Sequence, residues 1–378
     1  MIIFVKRDKK TTYTMELKVY YSTLATCNYS QEAISTLLKD APTDLICGIV
    51  LFCQEDKTGY HQMLDCFKTS LKEFLGRDIP VTLVPQPLLP ADGLSAEIYT
   101  LSSTEGIQFH QGYGLLQNKD SSLIFIEGIA SSDFRDVVFK QSTEVFEKLD
   151  AILAGHGFSP DDIVRQWNYI GDITHHREGR QNYQEFNDAR TAYYKKGNWT
   201  NGYPAATGIG ASCEGIIVGC IAYKSAGHIF PINNPLQIAA HEYSKKVLVD
   251  NNANAIKSTP KFERAKLIEI GSQACCFVSG TAAIRGEQSM DANSASSQTV
   301  QTIENIEYLV SRENLERYGC KPYDLHYVNL RVYIKNAEDY EEVRTIVEER
   351  YPDIPTIYTL ADVCRQELLV EIEGILTS

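Results

Sequence analysis

The stretch VYIKNAEDYEEVRTIVEERYPDIPTIYTL, residues 332–360, decides the fold, because two earlier stretches share its grammar. It runs from a β-rich segment to a helix opened by Tyr340, and then to Pro355 just ahead of another apolar run. VLFCQEDKTGYHQMLDCFKTSLKEFLGRDIPVTLV (50–84) repeats that order around Tyr60 and Pro80. YIGDI (169–173), followed by YQEFNDARTAYYKKGNWTNGYPAATGIG (183–210), repeats it around Tyr183 and Pro204. The Tyr-to-Pro gaps are 20, 21 and 15 residues, and the first and third copies both read Asp-Ile-Pro. Internal repetition of this kind points to a chain built from one supersecondary unit used several times.

A second shared element precedes the later two copies. SLIFIEGIASS (122–132) leads to QSTEVFEKLDAIL (141–153), and ACCFVSGTAAI (274–284) leads to QTVQTIENIEYLV (298–310). Each is an apolar strand running through a glycine, then a Gln-led helix with apolar residues at helical spacing. The chain therefore reads as half a unit followed by two full ββαβαβ-like units. This is an α+β architecture with helices on one face of each sheet.

Composition narrows the function. The 378 residues are 43% hydrophobic, which suits two or three packed domains. A net charge of −13, with no basic stripe, makes nucleic acid a poor partner. No segment is long and apolar enough to span a membrane, and the opening MIIFVKRDKK is too short for a secretion signal. Ten cysteines scattered in apolar runs such as LICGIVLFC then read as reduced, buried thiols of a cytosolic protein. No CxxC or HExxH appears, and His175-His176 lack partners at ligand spacing, so no metal is expected. Dinucleotide and P-loop signatures are absent as well.

Near the C-terminus, ADVCRQELLVEIEG (361–374) places Leu369, Glu371 and Glu373 on one side of a strand, and Leu368, Val370 and Ile372 on the other. Two readings are open: a half-exposed strand with a wet face, or an acid held in a cleft near Cys364.

The repeat grammar resembles the RidA (YjgF) family, whose small sheet-plus-two-helices unit assembles as a trimer with active sites between subunits. The third copy matches best, through FVSGTAAI, Gln298 to Asn305, and LLVEIEGI. The resemblance implies tandem RidA/YjgF-like (chorismate-mutase-like) ββαβαβ units forming a pseudo-trimer within one chain. The expected divisions are a partial unit over 1–104, a second unit over 105–230, a connector over 231–261 and a third unit over 262–378. RidA-like imine deaminases carry an arginine two residues after the proline. Here those positions are Thr82, Ala206 and Ile357, none of which can grip a carboxylate bidentately.

A closer resemblance, over residues 160–375, is to the chorismatases. It rests on Arg165, Trp167, Asn168 and Tyr169; on Tyr183, Phe186, Asn187 and Arg190; and on Pro204 through Gly210. NPLQ (234–237), HEYS (241–244), FERA (262–265), SGTAAI (279–284), LRVYIKN (330–336) and CRQELLVEIEG (364–374) follow in the same order. DNNANAIKS (250–258) looks like a polar insertion. The resemblance implies an enzyme that takes chorismate as its small-molecule substrate, releases pyruvate and needs no cofactor. It places the acid on Glu371, with Glu373 as the reserve. Cys364 and Gly280 match the members that form 3-hydroxybenzoate, whereas members that hydrolyse chorismate to a dihydroxycyclohexadiene carboxylate tend to have Ala at both. Arg165, Arg190 and Arg331 are candidates to hold carboxylates, and Tyr203, Thr207 and Gly208 to line the cleft. The pseudo-trimeric chain is expected to act as a monomer or a weak oligomer. A non-catalytic binding module would keep the core motifs and lack the acid and the cations.

Overall fold

The computed structural model describes residues 17–54, 59–101, 104–117, 121–177, 179–225, 227–244, 258–270 and 273–378, together with the backbone of a short hairpin at 5–8 and 11–14. The expected insertion at 250–258 lies outside the described residues except for Ser258.

Three units follow one another. The first holds β1 (Leu17–Leu24), α1 (Gln31–Leu38), β2 (Ile46–Cys53), α2 (Tyr60–Leu75), β3 (Val81–Pro85) and β4 (Leu94–Leu101), paired in the order β3-β2-β4-β1. The second holds β5 (Ile107–His110), β6 (Tyr113–Gln117), β7 (Ser121–Ala130), α3 (Val138–Gly155), β8 (Ile163–Gly171), α4 (Asn182–Tyr194), β9 (Ala205–Ala211) and β10 (Ile216–Ser225), in the order β9-β8-β10-β7-β6-β5. The third holds β11 (Ile229–Ile232), β12 (Ala265–Ile270), β13 (Gln273–Ala282), α5 (Ala295–Leu309), α6 (Arg312–Arg317), β14 (His326–Ile334), α7 (Tyr340–Arg350), β15 (Thr356–Leu360) and β16 (Val370–Thr377), in the order β15-β14-β16-β13-β12-β11. The last two sheets have the same topology, and the first repeats their four strands from the edge strand β9 or β15 to β7 or β13. In each unit the strand after the proline runs parallel to the strand before the Tyr-led helix, as a crossover through that helix requires.

The first unit is more than the half expected from sequence, since it carries both helices and four strands. Its α1 is only eight residues long, opened by the Ser30 hydroxyl accepting from the Ala33 N–H, and this is too short for a clear helical period. Strand β11 already pairs with β12, so the connector expected at 231–261 leaves the third sheet and returns to it.

Two apolar cores lie locally under α3–α4 and α5–α7. A third joins all three units through Ile49, Val50, Trp167, Tyr169, Ile217, Phe277 and Tyr333. The sheet faces turned away from the helices of units two and three thus meet at the centre of the molecule. That packing closes over β16, whose eight residues are all buried. The wet-face reading of LLVEIE does not hold, because the face carrying Glu371 and Glu373 is covered by the other units rather than by water. Strand β16 begins at Val370, and residues ahead of it turn, so Leu368 joins the central core instead of sharing a face with Val370.

Candidate active site

Strand β9, at the edge of the second sheet, meets across a seam the end of β13 that runs past its pairing with β12. The Ala206 N–H donates to the Ser279 hydroxyl at 2.8 Å, and the Gly280 N–H donates to the Thr207 hydroxyl at 2.9 Å. Between Val278 and Thr281 the β13–β16 register shifts, leaving Ser279 and Gly280 opposite Glu373 alone. A bulge of this kind re-aims side chains at a sheet edge. It brings Gly280 against the Glu371 carboxyl: a Cβ built on Gly280 would stand 2.0 Å from Glu371 Oε1. Gly208 is similarly close to Tyr183, whose ring carbon would lie 3.1 Å from a Cβ there.

A cleft opens beside this seam. Helix α4 lines it with Tyr183, Asn187 and Arg190, which share one helical face by their spacing. The connector and the start of β12 supply Tyr243, Phe262 and Arg264, and the loop before β16 supplies Cys364, Arg365 and Leu368. Glu371, Gly208 and Gly280 face it from the seam.

Burial pushes the Glu371 carboxyl up to about 8; Glu373 adds to the rise, while Arg165 and Arg264 pull against it. Among the described residues Glu371 makes no ion pair, so at neutral pH it stands in the cleft mainly as a neutral acid. Cys364 is also raised, to about 12, first by burial and then by the Glu371 carboxyl, and presents a thiol. Burial is the main cause of the rise for Tyr183 too, which stays a phenol.

The cations of the cleft are Arg190, Arg264 and Arg365. Arg190 donates to Asn187 Oδ1 at 2.5 Å, and its Nε is buried without a partner. Arg264 donates to the Ile238 carbonyl at 2.9 Å and the Tyr243 hydroxyl at 2.6 Å, with its Nε also unpartnered. Arg365 donates to the Glu287 carbonyl at 2.9 Å and the Ser289 hydroxyl at 3.1 Å, and its guanidinium lies 5.3 Å from the Tyr243 ring centre. None of the three pairs with a carboxylate among the described residues. Such a concentration of unneutralised guanidiniums, in a chain of net charge −13, favours an anionic occupant.

The structure brings Glu371, Cys364, Arg190, Gly208 and Gly280 together on the cleft wall and sets Thr207 directly behind Gly280. It does not bring Arg165 or Arg331 there. Both sit in the central core, 1% and 2% exposed, bound to Glu373 and to Glu97 and Glu373 respectively. Tyr203 lies outside the lining, stacked on Tyr194 and against Trp199. Sequence reading passed over Tyr183, Tyr243, Arg264 and Arg365 as site residues. For Tyr183 the signal was available, since Tyr183, Asn187 and Arg190 fall at i, i+4 and i+7 of one helix. Tyr243, Arg264 and Arg365 reach the cleft through irregular segments whose course no periodicity reveals.

The seam between the first two units repeats the geometry without the acid. There the Gly128 N–H donates to the Thr82 hydroxyl at 2.9 Å, and Ala130 pairs with Ile217 as Ala282 pairs with Glu371. A Cβ on Gly128 would meet the Ile217 side chain at 2.8 Å, where its counterpart on Gly280 meets a carboxyl. The neighbouring Glu127 is instead paired with Lys68.

No helix among the described residues is long and apolar enough to cross a membrane, and no cluster of His, Cys, Asp and Glu among them has the makings of a metal site.

Residues 100–222 match the family model described as chorismatase FkbO/Hyg5-like, N-terminal. A 3-hydroxybenzoate synthase of Streptomyces hygroscopicus is 34% identical over 58% of this chain and 64% of its own length. A chorismatase of Streptomyces rapamycinicus is 34% identical over 56% of this chain and 63% of its own length. The chain thus spans less than two thirds of these curated relatives. A chorismatase crystal structure superposes with a TM-score of 0.68 at 20% identity, covering 96% of this chain and 99% of that one. The chain has the fold of that chorismatase structure, in agreement with the resemblance seen in its motifs.

Proposed function

We propose that the chain is a chorismatase that converts chorismate to pyruvate and 3-hydroxybenzoate, with Glu371 as the acid. The observation that carries this reading is a neutral carboxyl facing a cleft that holds three guanidiniums with no carboxylate partner among the described residues. Chorismate presents two carboxylates, one on its ring and one on the enolpyruvyl ether, and both need cations. Arg190, Arg264 and Arg365 are the groups to hold them. Arg165 and Arg331, put forward from sequence for this task, already hold Glu373 and Glu97.

In the proposed reaction Glu371 gives its proton to the terminal methylene carbon of the enolpyruvyl group. The carbon bearing the ether oxygen becomes oxocarbenium-like, and oxygen attack there leads to cleavage of the ether and release of pyruvate. An acid held near neutrality suits that step, since general acids work best with a pKa close to the working pH. Glu373 is less suited as the acid, because four donors surround it: Arg165, Trp167, Thr207 and Arg331.

Two outcomes remain for the ring. Hydrolysis consumes one water and leaves a dihydroxycyclohexadiene carboxylate. Formation of 3-hydroxybenzoate consumes no net water, because the ring loses the elements of water as it becomes aromatic. The Cys364 thiol and the space left by Gly280 support the second outcome, as does the 34% identity to a 3-hydroxybenzoate synthase. Chromatography of the ring product made from chorismate tests it. A product that matches 3-hydroxybenzoate supports the reading, and a non-aromatic diene contradicts it. Ten cysteines, all buried or half-buried, support a reducing, cytosolic setting, and three units in one chain support a protein that works as a monomer.

A further inference from the structure

Behind Glu371, at the junction of all three units, two carboxylates and two guanidiniums neutralise one another. Arg331 forks onto Glu97 through Nε and Nη2 and reaches Glu373 Oε1 with Nη1 at 3.1 Å. Arg165 Nη2 donates to Glu373 Oε2 at 2.7 Å. Trp167 and Thr207 donate to the same carboxylate, while Tyr21, Tyr99 and Asn329 donate to Glu97. The four charged side chains are no more than 3% exposed, so the cluster is neutral and shielded from water.

Glu371 stands next to this cluster as a fifth ionisable group. The titratable and charged groups facing it are Glu373 on its own strand, Arg165 on β8, Tyr183 and Arg190 on α4, Tyr243 and Arg264 ahead of β12, and Cys364 and Arg365 in the preceding loop. Arg165 and Arg264 favour its ionised form, and Glu373 opposes it. Among the described residues the Nε and Nη1 of Arg165 are buried with no hydrogen-bond partner, and its Nη2 holds Glu373 and Thr207. Without Glu373 the repulsion disappears and the freed Arg165 becomes a counter-ion for Glu371. Both changes act in the same direction.

We propose that Glu373 is a positioning residue: by holding the buried Arg165 it keeps that cation from pairing with Glu371 and helps keep the carboxyl protonated in the cleft. The inference rests on the reading of Glu371 as the acid. Glu97, on β4 of the first unit, completes the cluster by holding Arg331.

Infrared spectroscopy of the full chain, with no substrate present, tests the inference directly. The carbonyl stretch of a protonated carboxylic acid is separate from that of carboxylates, and the band lost in Glu371→Gln belongs to Glu371. In Glu373→Gln the pH midpoint of that band is expected to fall by about one unit or more, and Glu373→Asp should restore much of the shift. If Glu373→Gln does not fold, Arg165→Met carries the test: it removes the cation that favours the ionised form and should raise the midpoint. A midpoint that stays put in these variants overturns the inference. Turnover is read separately: a shifted midpoint in a chain that releases no pyruvate from chorismate would keep the charge balance and remove the chorismatase reading.

Discussion

The Glu371 carboxyl occupies the space that a side chain at position 280 would need, with Oε1 2.0 Å from the place of a Cβ. Thr207 closes the other side, its methyl 3.0 Å from the same point. Thr207 is held by Arg165 and Glu373, so the Glu371 carboxyl, which faces the cleft, is the neighbour that must move. Gly280→Ala is expected to swing the acid away from its place and lower kcat for pyruvate release by about tenfold or more, as small misplacements of a reacting group do. The thermal midpoint should move by only a few degrees. An unchanged kcat would mean that the acid is elsewhere.

The raised pKa of Glu371 has a signature in stability. Its ordinary value is 4.5 and burial lifts it to about 8, so between those limits the folded chain binds a proton that the unfolded chain does not. Stability from this group is fully present below the unfolded value and is lost as pH rises through 8, with a limiting slope of about 1.4 kcal/mol per pH unit. Urea unfolding at pH 5 and pH 8 should therefore show Glu371→Gln gaining on the parent chain as pH rises. Parallel curves would contradict the protonated, buried acid.

Arg264 donates to a carbonyl and a tyrosine but to no carboxylate, and it faces the cleft. Arg264→Met is expected to raise KM for chorismate about ten- to a hundredfold, as loss of a charge-assisted contact to a substrate carboxylate does. Arg264→Lys should recover little of it, because an ammonium lacks the guanidinium fork. A KM that does not change would assign Arg264 to holding the connector through Tyr243 and Ile238.

Arg331 is the cation shared by Glu97 and Glu373. Burial alone would raise the Glu97 carboxyl, but the Arg331 guanidinium and its hydrogen bonds bring it below its ordinary value. Arg331→Met leaves that charge buried and uncompensated, which costs about 3–5 kcal/mol in comparable sites. Chemical denaturation should show a loss of this size, and a neutral change would mean that water reaches the cluster.

Cys364 stands on the cleft wall with its thiol protonated, beside the acid. Cys364→Ala is expected to divert product from 3-hydroxybenzoate towards the dihydroxycyclohexadiene carboxylate while pyruvate release continues. An unaltered ratio on chromatography would make Cys364 a packing residue.

Much of this arrangement was legible in the sequence because the unit recurs. Tyr60, Tyr183 and Tyr340 open or nearly open their helices, and Pro80, Pro204 and Pro355 immediately precede their strands, as the spacing implied. The short α1 escaped notice for want of a second turn of apolar period. In the site, Glu371, Cys364, Gly280 and Arg190 were accessible because they lie on regular elements or beside them within quoted motifs. Arg165 and Arg331 misled for a physical reason. An arginine in an alternating strand must find a counter-charge, and a substrate and a distant glutamate look alike from one sequence. The counter-charge of Arg331 is Glu97, 234 residues away, which no local pattern connects to it.

The most direct measurement is pyruvate release from chorismate by the purified chain, followed by a coupled assay beside Glu371→Gln. The account predicts steady release by the parent chain and loss of at least about a thousandfold in the variant, which removes the proton donor but preserves the shape of the side chain. Equal release by the two proteins, or none by either, would contradict it.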